Sequence, residues 1–185
     1  MHLELHYINP SAETIDVTAD ADLYPLLGDE PIQEAGFFVV GNLNINIPPH
    51  AQGHSSGDTF ALQPQALEGA QYYAFTGHTH RLGTAVRIGV ADSKSAETSW
   101  IYDPQPFNWD APQVVYLDAP LQVPAGGGFH LECTWDNPTN DTIHYGESAL
   151  TEMCFFWAYY YPRVTPQQVV LAGFDDSIYA KDAGM

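Results

Sequence analysis

The chain is a succession of short apolar runs, many alternating with polar residues, that are separated by turn-forming segments. Period-two alternation is typical of half-buried β-strands, because successive side chains point to opposite faces of a sheet. The pattern predicts an all-β fold, an antiparallel β-sandwich or jelly roll of about eight to ten strands. The predicted strands fall within residues 2–9, 14–20, 35–49 (one long strand or two), 58–64, 71–90, 98–103, 114–117, 128–137 and 152–162.

Two stretches allow a helical interpretation. Residues 30–36 are compatible with one helical turn, and in 148–161 apolar side chains also recur at helical spacing. The aromatic residues and the closing Pro162 favour a strand from about Met153 onward. In that strand Met153, Phe155 and Trp157 share one face.

The composition and charge exclude several function classes. The 185 residues are 45% hydrophobic and include 14 Pro and 15 Gly, as expected for a globular chain with many turns. With 23 acidic against 5 basic residues, the net charge is −18. Nucleic acid and anionic membranes are therefore not expected partners, since both require basic patches. The acidic charge fits either solubility or attraction of cations such as metal ions.

No apolar run reaches the roughly 20 residues of a membrane span. The opening MHLELHYINP lacks the basic and apolar regions of a signal peptide.

His78 and His80 occupy alternate positions of a predicted strand, so their side chains share a face while Thr79 points away. Such a pair is compatible with ordinary packing or with a metal site for copper or zinc. Zinc usually takes a third His, Cys or carboxylate ligand, whereas a thioether is a soft ligand matched to Cu(I).

Several motifs resemble one family. The segments HTH (78–80), CTWDN (133–137) and HYGESALTEMCFFWAYYYP (144–162) are similar to the second domain of the copper type II, ascorbate-dependent monooxygenases. The resemblance implies that His78, His80 and Met153 bind one copper ion, at which oxygen is activated. It also implies a disulfide between Cys133 and Cys154, worth about 3 kcal/mol. A disulfide indicates an oxidising compartment, hence a secreted or periplasmic protein.

The opening LELHYINP resembles a family stretch whose His binds a second copper ion, and His6 is the matching residue. The other ligands of that copper form a His-His pair in the preceding domain, and this sequence has no such pair. We therefore expect a leading strand (1–9) from the domain junction, a copper-binding sandwich (10–170) and a C-terminal tail (171–185). A preceding copper domain is the expected partner.

The resemblance implies an enzyme that hydroxylates an activated C–H bond, with ascorbate as reductant. This chain alone is expected to bind copper with little coupled turnover. At the positions where peptide-hydroxylating members hold a peptide carboxylate, this sequence has Thr76, Phe155 and Trp157. No cation remains there, so a small apolar or aromatic substrate is expected. From the residues alone, ordinary sandwich core is the favoured interpretation of Phe155 and Trp157.

Two alternatives to the enzyme remain open at this point: a non-enzymatic copper-binding module for capture or sensing, and a jelly roll with vestigial ligands. Two further residues lie within the family-like motif. His144 is a candidate for orienting a copper ligand. Glu152 is interpreted as a solvated or hydrogen-bonded residue and not as a catalytic base.

Overall fold

The computed structural model describes residues 9, 11–25, 28 and 31–165, and the backbone of 168–172 and 178–182. The predicted strand 2–9 and His6 thus lie outside these residues, apart from Asn9. By density of internal contacts the chain divides into two units, Met1–Ile32 and Gln33–Met185. The domain limits predicted from the sequence stay a prediction.

The regular structure of the described residues consists of strands and one 3₁₀ turn, Gln65–Leu67, with no α-helix. The strands are β1 (Gly36–Asn42), β2 (Asn46–Ile47), β3 (His54–Ser55), β4 (Thr59–Leu62), β5 (Gln71–His78), β6 (Gly83–Ala91), β7 (Ser99–Tyr102), β8 (Val114–Leu121), β9 (Gly128–Trp135), β10 (Ile143–His144), β11 (Phe155–Tyr161), β12 (Gln168–Ala172) and β13 (Ile178–Asp182). In this part of the chain no helix has the length and apolar character to cross a membrane.

Two main sheets form the sandwich. The six-stranded sheet has the order β13-β12-β1-β11-β5-β8, and the second sheet has the order β3-β9-β6-β7 with β4 also paired to β9. All pairs are antiparallel except β1 with β12. A small pair, β2 with β10, forms a separate two-stranded sheet. The antiparallel β-sandwich predicted from the alternation is confirmed.

The core lies between the two sheets, and its largest side chains are aromatic. Phe129 of β9 packs its ring 5.9 Å from Phe38 of β1, 5.6 Å from Phe156 of β11 and 5.1 Å from Tyr72 of β5. All four side chains have zero exposure. One residue of the second sheet thus contacts three strands of the six-stranded sheet, which is the interlocking expected of face-to-face sheets.

A disulfide joins the sheets covalently. Cys133 of β9 is bonded to Cys154, which directly precedes β11, and both are fully buried. The pairing implied by the family resemblance is confirmed, and this buried bond fits an oxidising compartment.

Three sequence expectations need correction. Residues 14–20 form no strand and are exposed, because alternation stabilises a strand only where a neighbour supplies ladder hydrogen bonds. The helical turn that the sequence allowed within 30–36 is absent from the described residues 31–36, because 31–35 are irregular and Gly36 begins β1. β11, the last of the predicted strands, begins at Phe155 and not at Met153.

The two longest predicted segments each contain two strands. Residues 35–49 contain two strands, β1 and β2, and 71–90 contain β5 and most of β6. The end of β12 and all of β13 lie within the predicted C-terminal tail, where they add two strands to the edge of the six-stranded sheet.

Candidate metal centre

The two histidines of the HTH motif lie at the end of β5. His78 is the last residue of the strand and His80 follows in the connection to β6. Both are half-buried, whereas the Thr79 side chain is buried. The imidazole centroids of His78 and His80 are 5.4 Å apart, with the rings edge to face. The predicted pair of imidazoles on one face is therefore brought together.

The connection that carries His80 is a tight turn. The Gly83 N–H donates to the His80 carbonyl oxygen at 3.1 Å. A side chain at Gly83 would overlap that of Thr79, so only glycine fits where β6 begins. This close approach lets the chain reverse directly after the second histidine.

The His80 ring is held in one orientation. Its Nδ1 lies 2.8 Å from the Thr151 carbonyl oxygen. A carbonyl only accepts, so Nδ1 is the donor, and Nε2 of the neutral ring keeps its lone pair. A hydrogen bond of this kind on the far nitrogen is the usual arrangement for a metal-binding imidazole.

The His78 imidazole is neutral at pH 7. Burial, and then the proximity of His80, lower its pKa from 6.5 to about 4. A neutral imidazole is the form that binds a metal ion, so protons do not compete for this ligand in the physiological range.

Glu152 is buried beside the two histidines, with zero exposure. Its Oε2 accepts hydrogen bonds from the backbone N–H of His80 at 2.8 Å and from the indole Nε1–H of Trp135 at 3.0 Å. Its Oε1 accepts from the Leu82 N–H at 2.8 Å. Burial raises the pKa of this carboxyl, and the same hydrogen bonds and the proximity of His80 oppose the rise. The interpretation of Glu152 as solvated is thus wrong, and that as hydrogen-bonded is right.

Met153 lies two residues before β11, and His80 lies two residues after β5. The β11–β5 ladder pairs Phe155 with His78. If that antiparallel register were extended by two residues, it would put Met153 across from His80. Met153 is half-buried, and the disulfide of Cys154 fixes the chain beside it.

The described residues contain no group of three His, Cys, Asp or Glu side chains arranged to hold a metal ion. A metal at the histidine pair would therefore need a ligand of another type. Among the predicted site residues, Met153 is the one that offers such a ligand, a thioether.

The three positions predicted to contact substrate lie on one outer face. Trp157 is opposite Thr76 in the ladder, and its ring is 5.8 Å from that of His78. Phe155 and Trp157 stack with centroids 6.4 Å apart. They are half-buried, while Phe156 and Ala158 between and after them fill the core. Phe155 and Trp157 therefore do not belong to the core between the sheets.

The sequence interpretation missed the partners of Glu152. Trp135 and Leu82 are distant from residue 152 in the chain, and no local pattern reveals that their N–H groups meet one carboxylate. For His144, the structure gives a backbone contact: its carbonyl accepts from the Glu152 N–H at 3.0 Å, and its side chain is exposed.

Comparison with known proteins gives a family and several relatives. The family model described as "Copper type II ascorbate-dependent monooxygenase, C-terminal domain" matches residues 33–179. Proteins named "DBH-like monooxygenase protein 1" from Gallus gallus, Homo sapiens and Mus musculus are 28%, 27% and 26% identical to this chain. Each alignment covers 88% of this chain and 28% of the relative. The chain thus corresponds to somewhat more than a quarter of the length of these relatives.

Proposed function

Since the chain belongs to the copper type II ascorbate-dependent monooxygenase family, as its C-terminal domain, we propose that His78, His80 and Met153 bind one copper ion. The observation that carries the proposal is the pair of imidazoles with ring centroids 5.4 Å apart at the end of β5. Met153 supports it as the residue two positions before Phe155, the ladder partner of His78. Two imidazoles and a thioether are ligands suited to Cu(I).

The donor set fits a copper ion that changes oxidation state. The His80 Nε2 is left available by the hydrogen bond at Nδ1, and His78 is neutral at pH 7. A weak thioether ligand favours Cu(I) and leaves positions open for other ligands. The copper would supply oxygen activation for hydroxylation of an activated C–H bond, with electrons from ascorbate.

Phe155 and Trp157 support a proposal about the substrate. Their rings form an aromatic surface beside His78. Thr76 lies opposite Trp157, and its hydroxyl donates a hydrogen bond to the Gln113 carbonyl oxygen at 3.1 Å. We infer that this surface binds a small apolar or aromatic substrate and shields the reacting carbon from water. None of these three side chains offers a positive charge for a carboxylate.

The complete reaction is proposed to require a second copper domain that delivers one of the two electrons. The match to 28% of each relative leaves room for such a domain in proteins of this family. His6 is the residue of this chain proposed to bind the second copper. We also propose, because disulfides persist in oxidising compartments, that the protein is secreted or periplasmic.

Copper titration tests the ligand assignment. The purified chain should bind one equivalent of Cu(I), measured by competition with a chromophoric chelator, and His78→Ala or His80→Ala should abolish that binding. Met153→Ile should weaken Cu(I) binding more than Cu(II) binding, because the loss is that of a soft ligand. His50→Ala, in a loop where the ring contacts Asn140, is the matched control and should bind normally.

Equal losses of Cu(I) and Cu(II) affinity in Met153→Ile would refute the role of the thioether, and failure of the parent chain to bind copper would refute the site. Hydroxylation that depends on ascorbate and oxygen, after the second copper domain is supplied, would distinguish an enzyme from a copper-capture module.

A further inference from the structure

The burial of Glu152 calls for a physical explanation. Moving a carboxylate out of water is strongly unfavourable unless hydrogen bonds or an opposite charge compensate. Among the described residues no Lys or Arg forms a salt bridge with Glu152. The compensation comes instead from three N–H donors at 2.8, 2.8 and 3.0 Å.

These donors belong to the structure around the proposed copper ligands. The N–H groups of His80 and Leu82 come from the β5–β6 turn, and the Trp135 indole comes from the end of β9. The carboxylate therefore holds the turn on both sides of Arg81 and ties it to the second sheet. Without it, two backbone N–H groups of the turn would have no partner in a buried environment.

The position of Glu152 in the chain connects the turn to the third ligand. Thr151, one residue earlier, accepts the hydrogen bond from the His80 ring, and Met153 is the next residue. His80 is thus held through its backbone and through its ring by two consecutive residues, and the thioether follows directly. The relative placement of imidazole and thioether depends on this short segment.

The segment itself is well anchored. The Glu152 N–H donates to the His144 carbonyl at 3.0 Å, and the Glu152 carbonyl accepts from the Gly146 N–H at 3.2 Å. Cys154 is bonded to Cys133 on β9. A ligand held by such a fixed surrounding shell keeps its geometry when the metal changes oxidation state.

We propose that Glu152 is a positioning residue of the copper site, whose carboxylate sets the orientation of His80 toward Met153. The proposal rests on the proposed function, because it assigns a role relative to that copper. A glutamine has the same shape but turns an NH₂ group toward one of the three donors. Glu152→Gln should therefore misplace His80 and lower the copper affinity by about 10- to 100-fold, as is typical when such supporting groups are changed.

The test compares Glu152→Gln with Glu132→Gln in the purified chain. Glu132 is a half-buried glutamate of β9 that contacts Ser55 and Arg87, away from the histidine pair. Cu(I) affinity is measured by chelator competition and the Cu(II) environment by electron paramagnetic resonance. We expect weaker binding and an altered Cu(II) spectrum for Glu152→Gln, and parent values for Glu132→Gln.

A folded Glu152→Gln with the parent affinity and spectrum would overturn the proposal, whatever its stability. If this variant does not fold, Trp135→Phe removes a single donor and should shift the spectrum and affinity in the same direction. Parent values in Trp135→Phe would then overturn the proposal. Absence of copper binding in the parent chain would instead refute the proposed function, so the two failures are distinguishable.

Discussion

At the residue scale, Trp135 combines a core side chain with a polar contact. It is the largest fully buried side chain of the described residues, and its indole N–H donates to Glu152 at 3.0 Å. A buried indole of this kind contributes apolar area and also satisfies a charged acceptor. Trp135 therefore contributes both to the packing of the core and to the arrangement of the candidate metal centre.

Trp135→Phe should lower the free energy of unfolding by about 1–3 kcal/mol, because it removes one donor from a buried carboxylate and leaves a small cavity. Guanidinium chloride denaturation measures the change. Trp100→Phe is the control: this side chain is 40% exposed and stacks on Arg87, so a loss below about 1 kcal/mol is expected. Equal losses in the two variants would contradict a special role for the Glu152 contact.

At the element scale, the β5–β6 turn decides where the second histidine points. His78 still belongs to the ladder with β11, whereas His80 lies beyond the last paired residue and is held by Thr151 and Glu152 instead. The chain can reverse there because Gly83 leaves space for the buried Thr79 side chain. The turn is thus a packed element whose shape is set by one glycine and one carboxylate.

Gly83→Ala should destabilise the domain by about 1–3 kcal/mol, since the added methyl group overlaps the side chain of Thr79, which is buried. Thermal or denaturant unfolding gives the magnitude. The double variant Gly83→Ala, Thr79→Ala should recover part of the loss, and the resulting coupling energy isolates the steric contact. Strict additivity of the two substitutions would show that the overlap is not the cause.

At the scale of the whole molecule, the two sheets are held by an aromatic core and by one covalent bond. Phe129 packs against three strands of the opposite sheet, and Cys133–Cys154 joins β9 to the residue before β11. The bond closes a loop with a sequence separation of 21 residues. Its main thermodynamic effect is to restrict the unfolded chain.

Replacement of both cysteines by alanine should lower the free energy of unfolding by about 3 kcal/mol, the chain-entropy value for a loop of this length. The parent chain unfolded in the presence of a thiol reductant should show a similar loss, whereas the double variant should be insensitive to the reductant. A double variant as stable as the oxidised parent would show that the disulfide contributes nothing to folding.

The sequence by itself determined the fold class, and the pairing of the cysteines came from the resemblance of its motifs to one family. Alternation of apolar and polar residues indicates strands because it matches the two faces of a sheet, and most of the predicted strands are present. The segment 14–20 shows the limit of this argument. Its alternation is as regular as elsewhere, but among the described residues no strand pairs with it. The family-like motifs supplied the disulfide and the candidate ligands.

Only the tertiary structure decided how the candidate site is arranged. The pattern placed His78 and His80 on one face, yet the second histidine lies outside the strand and owes its position to residues 151 and 152. The burial of Glu152 and its contacts with Leu82 and Trp135 join segments far apart in sequence. Such contacts depend on how three separate segments of the chain converge, and a local pattern of residues carries no information about that convergence.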